Sequence, residues 1–257
     1  MKRNIFSILM LFFLSINSQN IQPFKSGEWL KYKISYSGWL KAGEATVSLT
    51  NDKINGIDLF HSKMVGKTTG ALNLLFKVRD RYESFFENEN ILTNKFIRNI
   101  NEGGYKKNIE IQFNHDKDEA TVNNLKTKSL KNFKIKKNAQ DMVSVFYFLR
   151  KYFSINDLDD KNEISVNMFF DSENYNLKIK YLKTEIINTN FGKILCFKIR
   201  PYVQYGRVFK KDESLTMWIT ADDNRIPIKV KADLIVGSIR IDLESFSNLT
   251  NSFKIQF

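Results

Sequence analysis

One cysteine, two histidines, three prolines and eleven glycines in 257 residues set the first limits on what this chain can be. Cys196 has no partner for an intrachain disulfide, so stability must come from packing. It sits in the apolar run Lys193 to Ile199, where a buried, inert thiol is expected. His61 and His115 are the only imidazole bases, and neither stands beside a nucleophile motif. A Gly-x-Ser-x-Gly elbow, a phosphate loop, a dinucleotide fingerprint and His/Cys metal spacing are all missing, so no cofactor and no metal site is expected. Asn114, Asp116 and Asp118 imitate the first ligands of a calcium loop. Glu119 replaces its turn glycine and Leu125 its closing glutamate, which leaves a polar hairpin tip. Few prolines and glycines, and no low-complexity tract or clean repeat, leave little material for linkers.

Long hydrophobic runs are missing too. Ile5 to Ile16 falls short of the roughly 20 residues a spanning helix needs, and so does Met142 to Leu149, which is flanked by charge. Lys2 and Arg3 precede the first run, and Asn17, Ser18 and Gln19 follow it, the pattern of a secretory signal peptide over residues 1–19. No cysteine is present there to carry a lipoprotein's thioether anchor. The expectation is an exported protein, periplasmic or associated with the outer membrane, whose residues 20–257 form a single β-rich domain.

Acid is the minority charge. The formal net charge of +12 falls to +10 without Lys2 and Arg3. A basic balance points to an anionic partner, and export makes nucleic acid a poor one, leaving lipid head groups or anionic glycans and peripheral membrane contact. Lysines crowd residues 126–137, from Lys126 to Lys137, while Asp157, Asp159 and Asp160 follow the next apolar segment. Both stretches read as solvated loops, because their charges oppose the dipole of a helix placed between them.

What the chain has in quantity is alternation, with 42% hydrophobic and 14% aromatic residues. Over Glu28 to Ser37, Leu30, Tyr32, Ile34 and Tyr36 share one face of a strand and lysines and serines the other. Asn55-Gly56 marks a hairpin. Residues 67–75 fit a short helix about as well as a strand. About a dozen strands can be read, and one segment that is not a strand: Asn138 to Phe153, apolar around most of a helical circumference, with Asn138 and Asp141 as capping groups and Arg150 and Lys151 at its end. The predicted fold is mainly β, an antiparallel curved sheet or barrel with one buried helix over 138–153.

Several ordered pieces then combine: Gly27-Glu-Trp-Leu-Lys-Tyr32, Tyr36-Ser-Gly38, Ala42-Gly-Glu-Ala45, Arg81-Tyr-Glu83, Asp141 to Arg150, Leu215 to Asp222, Arg225-Ile-Pro227 and Gly237-Ser-Ile239. Together they resemble the exported bacterial family called domain of unknown function 3108. The resemblance implies a mostly β envelope protein and supplies no catalytic residue.

Repeated aromatics would suit a curved sheet enclosing an apolar cavity, as in carriers of lipids or lipid-modified proteins. The leading expectation is therefore a non-enzymatic binding protein for a hydrophobic ligand or envelope component. Tyr32, Tyr36, Arg79, Arg81, Tyr82, Phe146 and Trp218 are its candidate ligand-binding residues; Arg79 and Arg81 read equally as an exposed salt-bridging row. One alternative is an integral outer-membrane barrel, because Leu249, Phe253, Ile255 and Phe257 resemble a closing barrel strand interrupted at Asn251. Another is a glycan-acting enzyme using Glu44, Asp80 or Glu83, which requires two carboxylates converging in a cleft. Asp222 and Asp223 are adjacent and read as turn residues.

Overall fold

Apolar side chains at every second position, interrupted by short polar turns, fold the chain into one sheet. The computed structural model describes residues 22–202 and 213–256; the leader expected over 1–19 and Phe257 lie outside the described residues. The first run of strands is β1 (Trp29–Tyr36), β2 (Leu40–Ile54), β3 (Ile57–Thr68), β4 (Arg79–Glu87), β5 (Thr93–Glu102), β6 (Tyr105–Asn114), β7 (Glu119–Asn124) and β8 (Ser129–Lys134). A six-residue helix, α1 (Gly70–Leu75), joins β3 to β4. After α2 (Ser144–Tyr152) come β9 (Glu163–Phe170), β10 (Glu173–Thr189), β11 (Gly192–Pro201), β12 (Leu215–Thr220), β13 (Pro227–Asp233) and β14 (Ser238–Ser247).

Each run is a meander of hairpins, and the two are stitched by β1 pairing antiparallel with β14. The result is a 14-stranded antiparallel sheet with β8 and β9 at its edges. Asn55 and Gly56 turn β2 into β3 with φ of 51° and 83°, the two left-handed residues of a tight hairpin whose twist matches the strands. Register shifts at Lys31/Tyr32, Ile34/Ser35, Phe85/Phe86, Tyr181/Lys183 and Trp218/Ile219 add the local bends that curl the sheet.

The sheet curls without closing. The chain leaving β8 lies along β9 instead of pairing as a strand: the Gln140 N–H donates to the Asn167 carbonyl (2.8 Å) and the Phe169 N–H to the Gln140 carbonyl (2.9 Å). Asn174 extends the seam, its Oδ1 accepting from the Lys136 N–H (2.9 Å) and its Nδ2 donating to the Lys134 carbonyl (2.8 Å). The same crossing carries α2 into the interior, where Tyr147 is fully buried against Phe24, Phe86 and Phe146. Burial pushes its phenol pKa up, and its oxygen accepts from the Ser62 hydroxyl of β3 at 3.1 Å.

A helix inside a sheet must find partners for its ends. Asp141 caps the first turn: Oδ1 accepts from the Val143 and Ser144 N–H groups (2.6 and 2.9 Å), and Oδ2 from the Ser84 and Thr93 hydroxyls (2.5 and 3.0 Å). Burial raises the pKa of this carboxyl, and those same hydrogen bonds oppose the rise. Near the other end, Arg150 grips both oxygens of Glu28 (2.5 and 2.7 Å) and donates to the Pro23 and Asn224 carbonyls (2.8 and 2.9 Å). Both side chains are almost wholly buried, with Phe24, Phe146 and Tyr147 rings around the guanidinium. Arg225 then caps the last turn, donating to the Phe153, Arg150 and Lys151 carbonyls.

Differences from the sequence reading are local. The helix begins at Ser144 and not at Asn138, because Gln140 is held by β9 and Asp141 does the capping. The lysine-rich stretch is the β7–β8 hairpin tip followed by an edge strand, where lysines suit an unpaired edge. Residues 70–75 are helical, and 175–189 form one long bulged strand.

Two measurements test this account. Arg150→Met alone strands Glu28 in the interior and should cost about 3–5 kcal/mol in denaturant unfolding, whereas adding Glu28→Leu should restore much of the loss. Cys196 is fully buried, which pushes its thiol pKa up to about 12. Ellman's reagent should therefore label it only after denaturation; rapid labelling of the native protein would contradict the packing.

Candidate functional site

The interior is not filled everywhere. α2 presents Phe146, Leu149 and Phe153 at helical spacing toward the inner faces of β9 to β13, where Met168, Leu177, Ile179, Ile199, Met217 and Ile219 alternate inward. Between helix and strands lies a cavity of about 720 Å³. This is within the roughly 300–1,000 Å³ of small-molecule sites. Its walls are apolar because each contributing strand turns its polar alternate outward.

Polar groups gather at the two ends. At the helix end are Arg150 and Arg225, both committed to the partners described above. At the other end stand Asp171, Glu173, Tyr175 and Tyr202. The Tyr175 hydroxyl donates to the Tyr202 carbonyl (2.7 Å), and the Tyr202 hydroxyl to Glu163 (3.1 Å). Asp171, in the β9–β10 turn, reaches across the sheet to Arg98 of β5 and Lys107 of β6, at 2.5 and 2.6 Å. Partial burial would raise its pKa, but the hydrogen bonds and charges of Arg98 and Lys107 outweigh burial and lower it. Arg98 also stacks over Phe170 at 4.8 Å and lies 6.0 Å from the Tyr82 ring.

Of the residues singled out in the sequence, Phe146 lines this cavity. Tyr32 is core beside Arg150, its phenol pKa raised by burial. Tyr36 sits at a hairpin end, donating to the Val236 carbonyl at 3.1 Å. Arg79 donates to the Val78 and Thr68 carbonyls, and Arg81 pairs with Glu83. Tyr82 faces inward next to Arg98, away from the cavity lining. Trp218 donates from Nε1 to Glu185 (2.9 Å) and lies between Lys198 and Lys229. The cavity residues that sequence reasoning missed are mainly aliphatic: Leu149, Met168, Leu177 and Met217. Their signal, alternation in the second meander, marks a core wall equally well.

None of the carboxylates singled out in the sequence lines this cavity. Glu44 joins Lys31, Lys67 and Glu244 in a row of ion pairs across β14, β1, β2 and β3, and the Lys67 hydrogen bond lowers its pKa. Glu83 holds His61 at 2.8 Å. Asp80 accepts from the Asn101 N–H (3.0 Å) and hydrogen-bonds Glu102, whose pKa that contact and burial raise. Asp222 folds the β12–β13 turn, accepting from the Thr220 hydroxyl and the Asn224 and Arg225 N–H groups.

Residues 31–244 match the family described as Protein of unknown function (DUF3108). The chain belongs to that family. Among solved structures, this DUF3108 chain resembles a beta-barrel-like protein of domain of unknown function DUF1849 from Brucella abortus, with TM-score 0.54 and 8% identity over 86% of this chain and 97% of that one. That likeness concerns the fold alone. A "putative lipoprotein" from Parabacteroides distasonis is more distant, at TM-score 0.38 and 12% identity over 88% and 98% of the two chains. No curated protein matches.

The Asp171 tie gives a pH signature. Its lowered folded pKa stabilises the fold above the ordinary carboxyl value of 3.8, and that contribution disappears as pH falls through the lower folded value. Asp171→Asn should therefore flatten the fall in Tm between about pH 5 and about pH 2 relative to wild type. Parallel curves would show that the tie carries no stability.

Proposed function

We propose that this DUF3108 protein is an exported, non-enzymatic binding protein of the cell envelope that holds a hydrophobic ligand between α2 and strands β9 to β13. The observation that carries the reading is the apolar cavity of about 720 Å³, whose polar lining groups Arg150, Arg225 and Asp171 are already held by protein partners. A wall of Phe, Leu, Ile and Met, with its charges engaged apart from the exposed Glu173 at one end, favours alkyl or aromatic ligand surface over a sugar or a nucleotide. Export rests on the leader pattern of residues 1–19, and the ligand class that fits the compartment is a lipid or a lipid-modified component.

The two rival readings have less support. An integral outer-membrane barrel would turn its outer face to lipid, yet that face carries the Glu244, Lys31, Glu44 and Lys67 ion-pair row. A glycan-acting enzyme needs two carboxylates facing one substrate. Glu44 and Glu83 are instead bound to basic neighbours, and Asp80 and Glu102, which hydrogen-bond each other, lie outside the cavity lining.

Native mass spectrometry with lipid extraction, on protein purified from its own envelope fraction, tests the proposal. A stoichiometric hydrophobic ligand is expected in wild type and is expected to be lost in Leu149→Trp or Met217→Trp, which fill the cavity. An empty wild type that also fails to take up fluorescent fatty acid would remove the reading.

A further inference from the structure

In an antiparallel meander alternate turns lie at opposite ends of the sheet, and the two ends here differ sharply. One end gathers the β1–β2, β3–β4, β5–β6, β7–β8, β9–β10 and β13–β14 turns. Among the described residues, nine of the fourteen large hydrophobic side chains exposed to solvent belong to these hairpins. Trp39 is 80% exposed, Leu74 and Leu75 of α1 are 87% and 82%, and Tyr105, Ile235 and Val236 follow. The turns at the opposite end are mostly polar, Asn55-Gly56, Glu89-Asn90, Asp116-Lys117-Asp118 and Asp222-Asp223, with Phe191 half-buried in the β10–β11 turn and Ile57 exposed after the first.

Exposed lysines occur at both ends, but at the opposite end several stand beside acids, Lys117 between Asp116 and Asp118 and Lys161 after Asp160. Lys41, Lys77, Lys106 and Lys128 are exposed beside the apolar tips and form no ion pair among the described residues. Acids at that end are largely engaged, Asp171 by Arg98 and Lys107 and Asp233 by Lys231. Glu102 leans on Asp80. Asp171 and Glu173, the exposed residues of the cavity lining, stand at this end as well.

We propose that this hairpin end docks on the surface of an anionic lipid bilayer, with Trp39, Leu74, Leu75, Ile235 and Val236 entering the head-group and acyl boundary and the unpaired lysines meeting lipid phosphates. The apolar groups stand on separate loop tips, with no shared groove between them. A fluid bilayer accepts such scattered tips, whereas a protein partner would have to match each one. Tryptophan and tyrosine ringed by lysine match the chemistry of the membrane interface. The docking surface does not depend on the cavity being filled.

Vesicle flotation of the mature protein tests this directly, using phosphatidylcholine alone and phosphatidylcholine mixed with phosphatidylglycerol. Wild type should float with the anionic vesicles, weakly with the neutral ones, and less as salt rises. The triple variant Trp39→Ser, Leu74→Ser, Leu75→Ser changes only exposed side chains and should lower partitioning by about tenfold or more. Lys106→Glu with Lys128→Glu should remove the preference for anionic lipid. Leu149→Trp, which closes the cavity, should float like wild type, so a failure of ligand binding and a failure of docking can be told apart. No capture of wild type, or capture indifferent to the triple substitution, would overturn the proposal. So would a dimer in solution that the triple substitution abolishes without any vesicle capture, since a second copy would then be the occupant.

Discussion

Arg150 and Glu28 are the pair on which the rest depends. A helix enclosed by a curled sheet carries Arg150 into the interior, and burying that charge unpaired would cost far more than packing returns. Glu28 precedes β1, Asn224 lies in the β12–β13 turn, and Pro23 leads into the first meander; one guanidinium binds all three. Arg225 and Asp141 complete the work at the two termini of α2. Held at its ends, α2 packs Val145, Leu149 and Phe153 with residues of β9 to β12 and still leaves the cavity beside them.

Much of this fold can be read from the chain because period-two alternation is long and clean. Leu30 and Tyr32 inside with Lys31 and Lys33 outside, or Ile109, Ile111 and Phe113 against Glu110 and Gln112, leave little choice of face. Asn55-Gly56 names its own turn. Asp141 was legible as a capping group and Arg150 as a helix-end residue, although their partners were not, since Ser84, Thr93 and Glu28 are brought near only by the register of distant strands. The start of α2 was misplaced because Asn138 to Gln140 have helical company in sequence while Gln140 has a β9 partner in space. Likewise Ser129–Lys134 hid as a loop because an edge strand half exposed to water has little need of apolar alternation.

The site was harder to read. Aromatic side chains drew attention to Tyr32, Tyr36 and Trp218, yet two of these bond to strands or turns beside them and the third is core. Phe146 was legible because it sits on the one helix. Leu149, Leu177 and Met217 were not, since a residue that lines a void and a residue that fills one have the same sequence pattern. Which of them faces empty space is decided by how far the helix stands off the sheet.

Placing the first strand beside the last has a kinetic meaning. The Asn248 side chain donates to the Gly27 carbonyl across 221 positions of chain, and β1 pairs along its whole length with β14. Contacts this remote in sequence are slow to form, because a large loop must close before they return any energy. The first meander can assemble early, but until β14 arrives it keeps an open edge along β1, and the Arg150 cage stays incomplete until the β12–β13 turn delivers Asn224. The native interior therefore belongs to the completed chain, and any vectorial passage that delivers residues in order would postpone its formation to the final strand.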